Sequence, residues 1–199
     1  MGDVKDYLDL VRERRECRRC SGLTNPSEVL GGSLDSQQIG PWSTWQGNLS
    51  SDLLVVGQDW GDVSYFENNE GRDSARNPTN DHLIALLSSI GISIGPPGGG
   101  QGQHVVFFTN AILCLKSGGL QSRVEDEWFR NCAGFLRRQI EIVAPRVVVT
   151  LGARAFRAVL SAFDLRPQEL WNSPGFVDTP QPIAEALSNA SGLTSPRWL

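Results

Sequence analysis

A chain of 199 residues, 40% of them hydrophobic, is long enough to bury a core of its own, and a single domain over residues 1–199 is the simplest reading. The formal net charge of −4 excludes a uniformly basic nucleic-acid binder, so any contact with a polyanion has to be local. No apolar run is long enough to span a bilayer, "MGDVKDYLDL" has no apolar leader, and Asp6 stands where a myristoylation signal needs Ser or Thr; the expectation is a cytoplasmic monomer with no membrane partner.

In chain order, residues 3–16 set Val4, Leu8 and Val11, with Tyr7, on one side of a helix. Residues 21–50, rich in Gly, Ser, Pro and Gln, read as an irregular loop. "DLLVVG" (52–57) is a short apolar run ending in glycine, which suits a buried parallel strand. "NPTNDHLIALLSSIG" (77–91) opens with helix-entry residues, continues through Leu83, Leu86, Leu87 and Ile90, and stops at Gly91. "GPPGGGQGQ" (95–103) is loop.

A second strand, "HVVFFTN" (104–110), leads to a turn at "KSGG". The segment 124–145 then places Trp128, Cys132, Phe135, Leu136, Ile140 and Val143 at helical spacing before a proline. "RVVVTLG" (146–152) reads as a third strand running into the helix "ARAFRAVLSAF". Beyond Asp164 the pattern weakens into Pro- and Ser-rich sequence. Alternating strands and helices argue for a three-layer α/β/α sandwich around a short, mostly parallel central sheet, with no internal repeat.

In open parallel sheets the ligands sit at the carboxyl ends of the strands. Those ends read "GQDWGD" (57–62), "TNAILC" (109–114) and "LGARA" (151–155), and none carries a dinucleotide or P-loop glycine pattern. They offer acid, amide and thiol instead: Asp59 and Asp62, Asn110, and Cys114. The remaining cysteines are Cys17 and Cys20 in "CRRC", and Cys132 in the long helix. Without a signal peptide a disulfide framework is disfavoured. Four thiolates suit zinc or an iron–sulfur cluster, and the long gap from Cys114 to Cys132 favours the cluster over zinc knuckles. Between Arg12 and Arg19 lie five arginines and two glutamates, either a solvated helix face or an edge that meets phosphates.

The order C-x-x-C, G-Q-D after the first strand, "TNAILC", a further spaced cysteine and "RVVVTLGARA" resembles the uracil-DNA glycosylase superfamily, and most of all its [4Fe–4S]-bearing, family four-like branch. The resemblance covers roughly residues 10–160. It implies a [4Fe–4S] cluster on Cys17, Cys20, Cys114 and Cys132, with Arg15, Arg18 and Arg19 beside the DNA. It implies that Asp59 orients water, with Asp62 as the fallback carboxylate. It also implies that Asn110 reads the base, because an amide offers the donor and acceptor that match uracil's O4 and N3–H. Gln58, Trp60 and Phe66 are expected around the base.

Three departures from the family pattern stand in the sequence. The family's stacking phenylalanine is replaced by "GRDSARN", which leaves Phe66, Tyr65 or Trp60 as substitutes. Trp60 occupies the place of the first motif's proline. The chain stops at "SPRWL", so the expectation is that the superfamily's C-terminal H-P-S-like histidine motif is missing, and His82 and His104 are not placed to replace it. The implied function is removal of uracil or a related deaminated base from DNA. A catalytically weak damage-sensing protein of the same fold, and a zinc-stabilised domain binding a nucleotide or protein, are the alternatives.

Overall fold

The computed structural model describes residues 3–39, 45, 48–74, 77–96, 102, 104–119, 121–166 and 197–198. Most of the Gly- and Pro-rich stretch 95–103 and most of the tail beyond 164 lie outside them. The central sheet holds β2 (Leu53–Gly57), β3 (Val106–Asn110), β5 (Val147–Thr150) and β6 (Arg197–Trp198), all parallel, in the order β3-β2-β5-β6. A second, two-residue ladder pairs β1 (Leu23–Thr24) antiparallel with β4 (Leu115–Lys116).

Strand alternation sorts the core into two halves. Leu54, Val56, Phe107 and Val148 face one way and pack with α1 (Asp3–Glu16), α4 (Asp126–Val143) and α5 (Ala153–Ala162). Leu53, Val55, Val106, Phe108, Val147 and Val149 face the other way, toward α2 (Val63–Asn68) and α3 (Pro78–Ser88) through Phe66, Leu83 and Leu87. The expected three-layer α/β/α sandwich is therefore present. No helix among the described residues is long and apolar enough to cross a membrane.

Local sequence accounts for several element boundaries. Asn77 caps α3 through Thr79 N–H, and Pro78 occupies the first turn, where its missing N–H costs nothing. The short α2 was not expected; Asp62 caps it by accepting from Tyr65 N–H at 2.8 Å. The expected loop 21–50 contains β1 and a 3-10 segment, Pro26–Gly32, opened by a capping box between Asn25 and Glu28.

The expected buried face of α1 is rotated. Tyr7, Leu10, Val11 and Arg14 are buried, whereas Val4 and Leu8 are 61% and 52% exposed. Arg14 explains the rotation, because Asp35 takes both of its terminal nitrogens (2.9 and 3.0 Å) and Gln38 O takes a third bond at 3.0 Å. A guanidinium whose charge is met by a buried carboxylate can face inward, and apolar periodicity alone does not reveal that.

Topology fixes where a ligand can enter. β2 leads out to the α2–α3 layer, whereas its neighbours β3 and β5 lead out to α4 and α5 on the opposite face. The connections part at the carboxyl end of β2, and the crevice left there is the standard binding position of such sheets.

Candidate active site

A cleft of about 720 Å³ opens at that point, lined by Gln58, Asp59, Trp60, Tyr65, Asp73, Phe108, Asn110 and Lys116 among others. Asn110 closes β3 and lies in register with Gly57. A Cβ on Gly57 would fall 2.1 Å from Asn110 Oδ1, so the amide occupies space that only glycine leaves open.

Asp59 follows directly on β2 and is held from three sides. Its Oδ2 accepts from Gln58 Nε2 at 2.7 Å, and its Oδ1 accepts from Gly61 N–H at 3.0 Å. Lys116 Nζ lies 3.2 Å from Oδ1, with the lysine side chain 3% and the aspartate 7% exposed. Nothing in the sequence marks this lysine as buried, because "KSGG" reads as a turn. Pairing of β1 with β4 turns it inward.

The aromatic candidates separate. Trp60 lines the cleft together with Phe108, their ring centroids 5.8 Å apart. Phe108 escaped the sequence reading, although it shares strand parity with Val106. Phe66 is fully buried in the α2–α3 core and does not line the cleft. Asp62 also lies outside the lining, occupied in capping α2.

Asp73, Ser74 and Asn77 give the cleft a polar wall. Asp73 accepts from Tyr65 OH at 2.7 Å and from Asn77 Nδ2 at 3.2 Å, and also from Asn80 Nδ2. Burial is the main cause that pushes the Tyr65 hydroxyl above its ordinary pKa.

The four cysteines line a second, smaller cavity of about 170 Å³. Two features gather them. The β1–β4 ladder brings the chain just after Cys20 beside Cys114, and Asn25 Nδ2 ties down Arg14 O (2.7 Å) and Cys17 O (3.0 Å). All four are free thiols. A hydrogen bond from Cys132 draws the Cys20 thiol down to about 6, and the same bond holds the proton on Cys132, whose pKa rises. Burial pushes Cys114 up to about 12.

Among the described residues no group of three or more His, Cys, Asp or Glu side chains is arranged to hold a single metal ion. A tetrahedral zinc would need four sulfurs about 2.3 Å from one point, whereas a cluster needs them spread around a volume. Four free thiols around a shared cavity are donors of the type that either centre takes.

Each arginine of the basic stretch has an internal partner. Arg15 Nε lies 3.1 Å from Asp35 Oδ2. Arg18 pairs with Glu28 at 2.9 Å and donates to the carbonyls of Arg15 and Cys17. Arg19 donates to Cys17 Sγ at 3.5 Å and lies over the Phe135 ring. Arg18 and Arg19 thus line the cysteine cavity, whereas Arg15 is outside the lining.

Residues 44–198 match the family model described as the uracil-DNA glycosylase superfamily, which is well over half of the chain. The chain belongs to the uracil-DNA glycosylase superfamily. Among curated proteins it is similar to a type-5 uracil-DNA glycosylase from Pyrobaculum aerophilum, with 29% identity over 77% of this chain and 69% of that protein. It is also similar to a type-4 uracil-DNA glycosylase from Archaeoglobus fulgidus, with 24% identity over 79% of this chain and 65% of that protein. The superfamily match contains the whole cleft, together with Cys114 and Cys132. Cys17 and Cys20 precede it.

Proposed function

We propose that this chain removes uracil, or a related deaminated base, from DNA by hydrolysing the N-glycosidic bond. The observation that carries the reading is a cleft, in a member of this superfamily, lined by both the Asn110 amide and the Asp59 carboxylate at the carboxyl ends of the strands. The two relatives bear the name of that activity.

A base inside a duplex is out of reach, so the nucleotide is extruded into the cleft. Phe108 and Trp60 offer the flipped base an apolar wall. Asn110 donates to O4 of uracil and accepts from N3–H; cytosine presents the reverse pattern and would leave both groups unpaired in a buried site. As the bond to the base stretches, positive charge develops on the sugar. Asp59, held in place by Gln58 and Gly61, sets its negative charge against that cation and orients the attacking water.

Cys17, Cys20, Cys114 and Cys132 would hold a [4Fe–4S] cluster, a structural brace for the surrounding segments. Arg15, Arg18 and Arg19 flank that brace and would meet the phosphates of the bound strand.

The test is base release from single- and double-stranded oligonucleotides bearing one uracil, read as alkali-labile abasic sites. Cleavage at uracil and not at cytosine or thymine is expected from anaerobically purified protein. Binding to uracil-containing DNA without release of the base would overturn the catalytic reading in favour of a damage-sensing protein.

A further inference from the structure

We propose that Lys116 is a catalytic residue of this reaction, its ammonium stabilising the base as an anion while the glycosidic bond breaks. The proposal rests on the glycosidic function argued above and names the group that receives the leaving charge.

Lysine is almost never buried without a partner, and a buried ion pair is seldom kept for stability, because apolar residues of similar volume do as well or better. Lys116 is buried, lines the cleft, and is the one cationic side chain that does so among the described residues. Strand alternation sends Leu115 into the core and Lys116 to the cleft. The β1–β4 ladder needs only the backbone of position 116, so it does not explain a charged side chain there. Neither histidine of the chain lines the cleft.

The lysine is fixed by a closed circuit. Its own N–H donates to Gly61 O at 3.0 Å, Gly61 N–H donates to Asp59 Oδ1 at 3.0 Å, and that oxygen lies 3.2 Å from Lys116 Nζ. A cation and an anion are therefore held side by side before any substrate enters. The reaction needs that pair of charges. When the C1′–N1 bond breaks, its electron pair leaves with the base, so the base becomes negative as the sugar becomes positive. Water then adds to C1′ and gives up its proton toward Asp59 and solvent, and the base anion takes a proton from solvent. Lys116 keeps its own proton throughout and acts as a preorganised charge.

The test varies the leaving group. 5-Fluorouracil leaves as a more stable anion than uracil and needs less help. Lys116→Met should slow single-turnover release of uracil about 100- to 1,000-fold, the usual cost of losing one such donor. It should slow release of 5-fluorouracil several-fold less. Lys116→Gln, which can still donate to Asp59 and fold where the methionine variant does not, should show the same unequal loss. Lys116→Arg, with its charge kept, should preserve the wild-type ratio between the two bases. Equal losses on both bases in Lys116→Gln, or no loss, would overturn the proposal and leave a structural lysine. Wild-type protein that releases neither base would instead overturn the glycosylase reading itself.

Discussion

Gly57→Ala is the sharpest test of how the cleft is built, because it touches function with little cost to the fold. The added Cβ would fall 2.1 Å from Asn110 Oδ1 and 3.2 Å from its Cγ. Real Cβ contacts are essentially never closer than 3.0 Å, so the amide has to retreat by about 1 Å. The atom that yields is the end of a side chain, and Phe108 Cζ, at 3.6 Å, is in ordinary contact. Thermal unfolding should therefore move little, within about 1 kcal/mol, as for a substitution that removes no packing. Activity should not be spared, since a misplacement of about 1 Å at a reacting site costs on the order of 100-fold. Single-turnover release of uracil, measured beside the unfolding midpoint, separates the two effects. Wild-type rates in a folded Gly57→Ala protein would refute the role given to Asn110.

Asp59→Asn should be slow yet still bind uracil-containing DNA, whereas Asn110→Asp should lose selectivity, at about 1–3 kcal/mol for the mismatched hydrogen bonds; full turnover in Asp59→Asn would move the catalytic role elsewhere. Anaerobically purified protein should be brown with about four irons per chain, and Cys114→Ser or Cys132→Ser should bleach it; stoichiometric zinc without iron would refute the cluster. Replacing Arg18 by Ala should weaken binding to every DNA sequence and reduce the salt slope by about one unit, and unchanged slopes for Arg15, Arg18 and Arg19 variants would leave them as cavity supports. Asp35→Asn should cost about 3–5 kcal/mol by stranding the buried Arg14 charge, or roughly 6–20 °C in the unfolding midpoint; a shift below 2 °C would refute that accounting.

What could be read from the sequence followed from how local each signal is. The three strands ending at Gly57, Asn110 and Thr150 announce themselves as short apolar runs, and the capping residues of α3 stand next to the helix they start. That Asp59 and Asn110 line the cleft is legible because strand ends are where such sheets leave a crevice. Lys116 was not, since its direction depends on a two-residue pairing with Leu23–Thr24, more than ninety positions earlier. Arg14 was missed for a related reason: its burial depends on Asp35 across a loop with no periodic pattern. Phe66 illustrates the converse error, because proximity to a motif says nothing about which face of a short helix a side chain takes.

β4 joins the two halves of the site. Cys114 lines the cysteine cavity, Leu115 is fully buried in the core, and Lys116 lines the cleft, so a single residue separates the thiol from the ammonium along the chain. The ladder partner of β4, the two-residue β1, is too short to hold it rigid alone, since an isolated two-stranded pairing is marginal in water. Its position depends on what grips either end. On one side stands Gly61 O, bonded to Lys116 N–H, and on the other stands whatever fixes Cys114. A cluster bridging Cys114 to Cys17 and Cys20 would fasten β4 to β1 and to the end of α1, where Asn25 Nδ2 already holds the carbonyls of Arg14 and Cys17. Such a cluster would take no part in the chemistry and would still set the position of the charge proposed for it, that of Lys116.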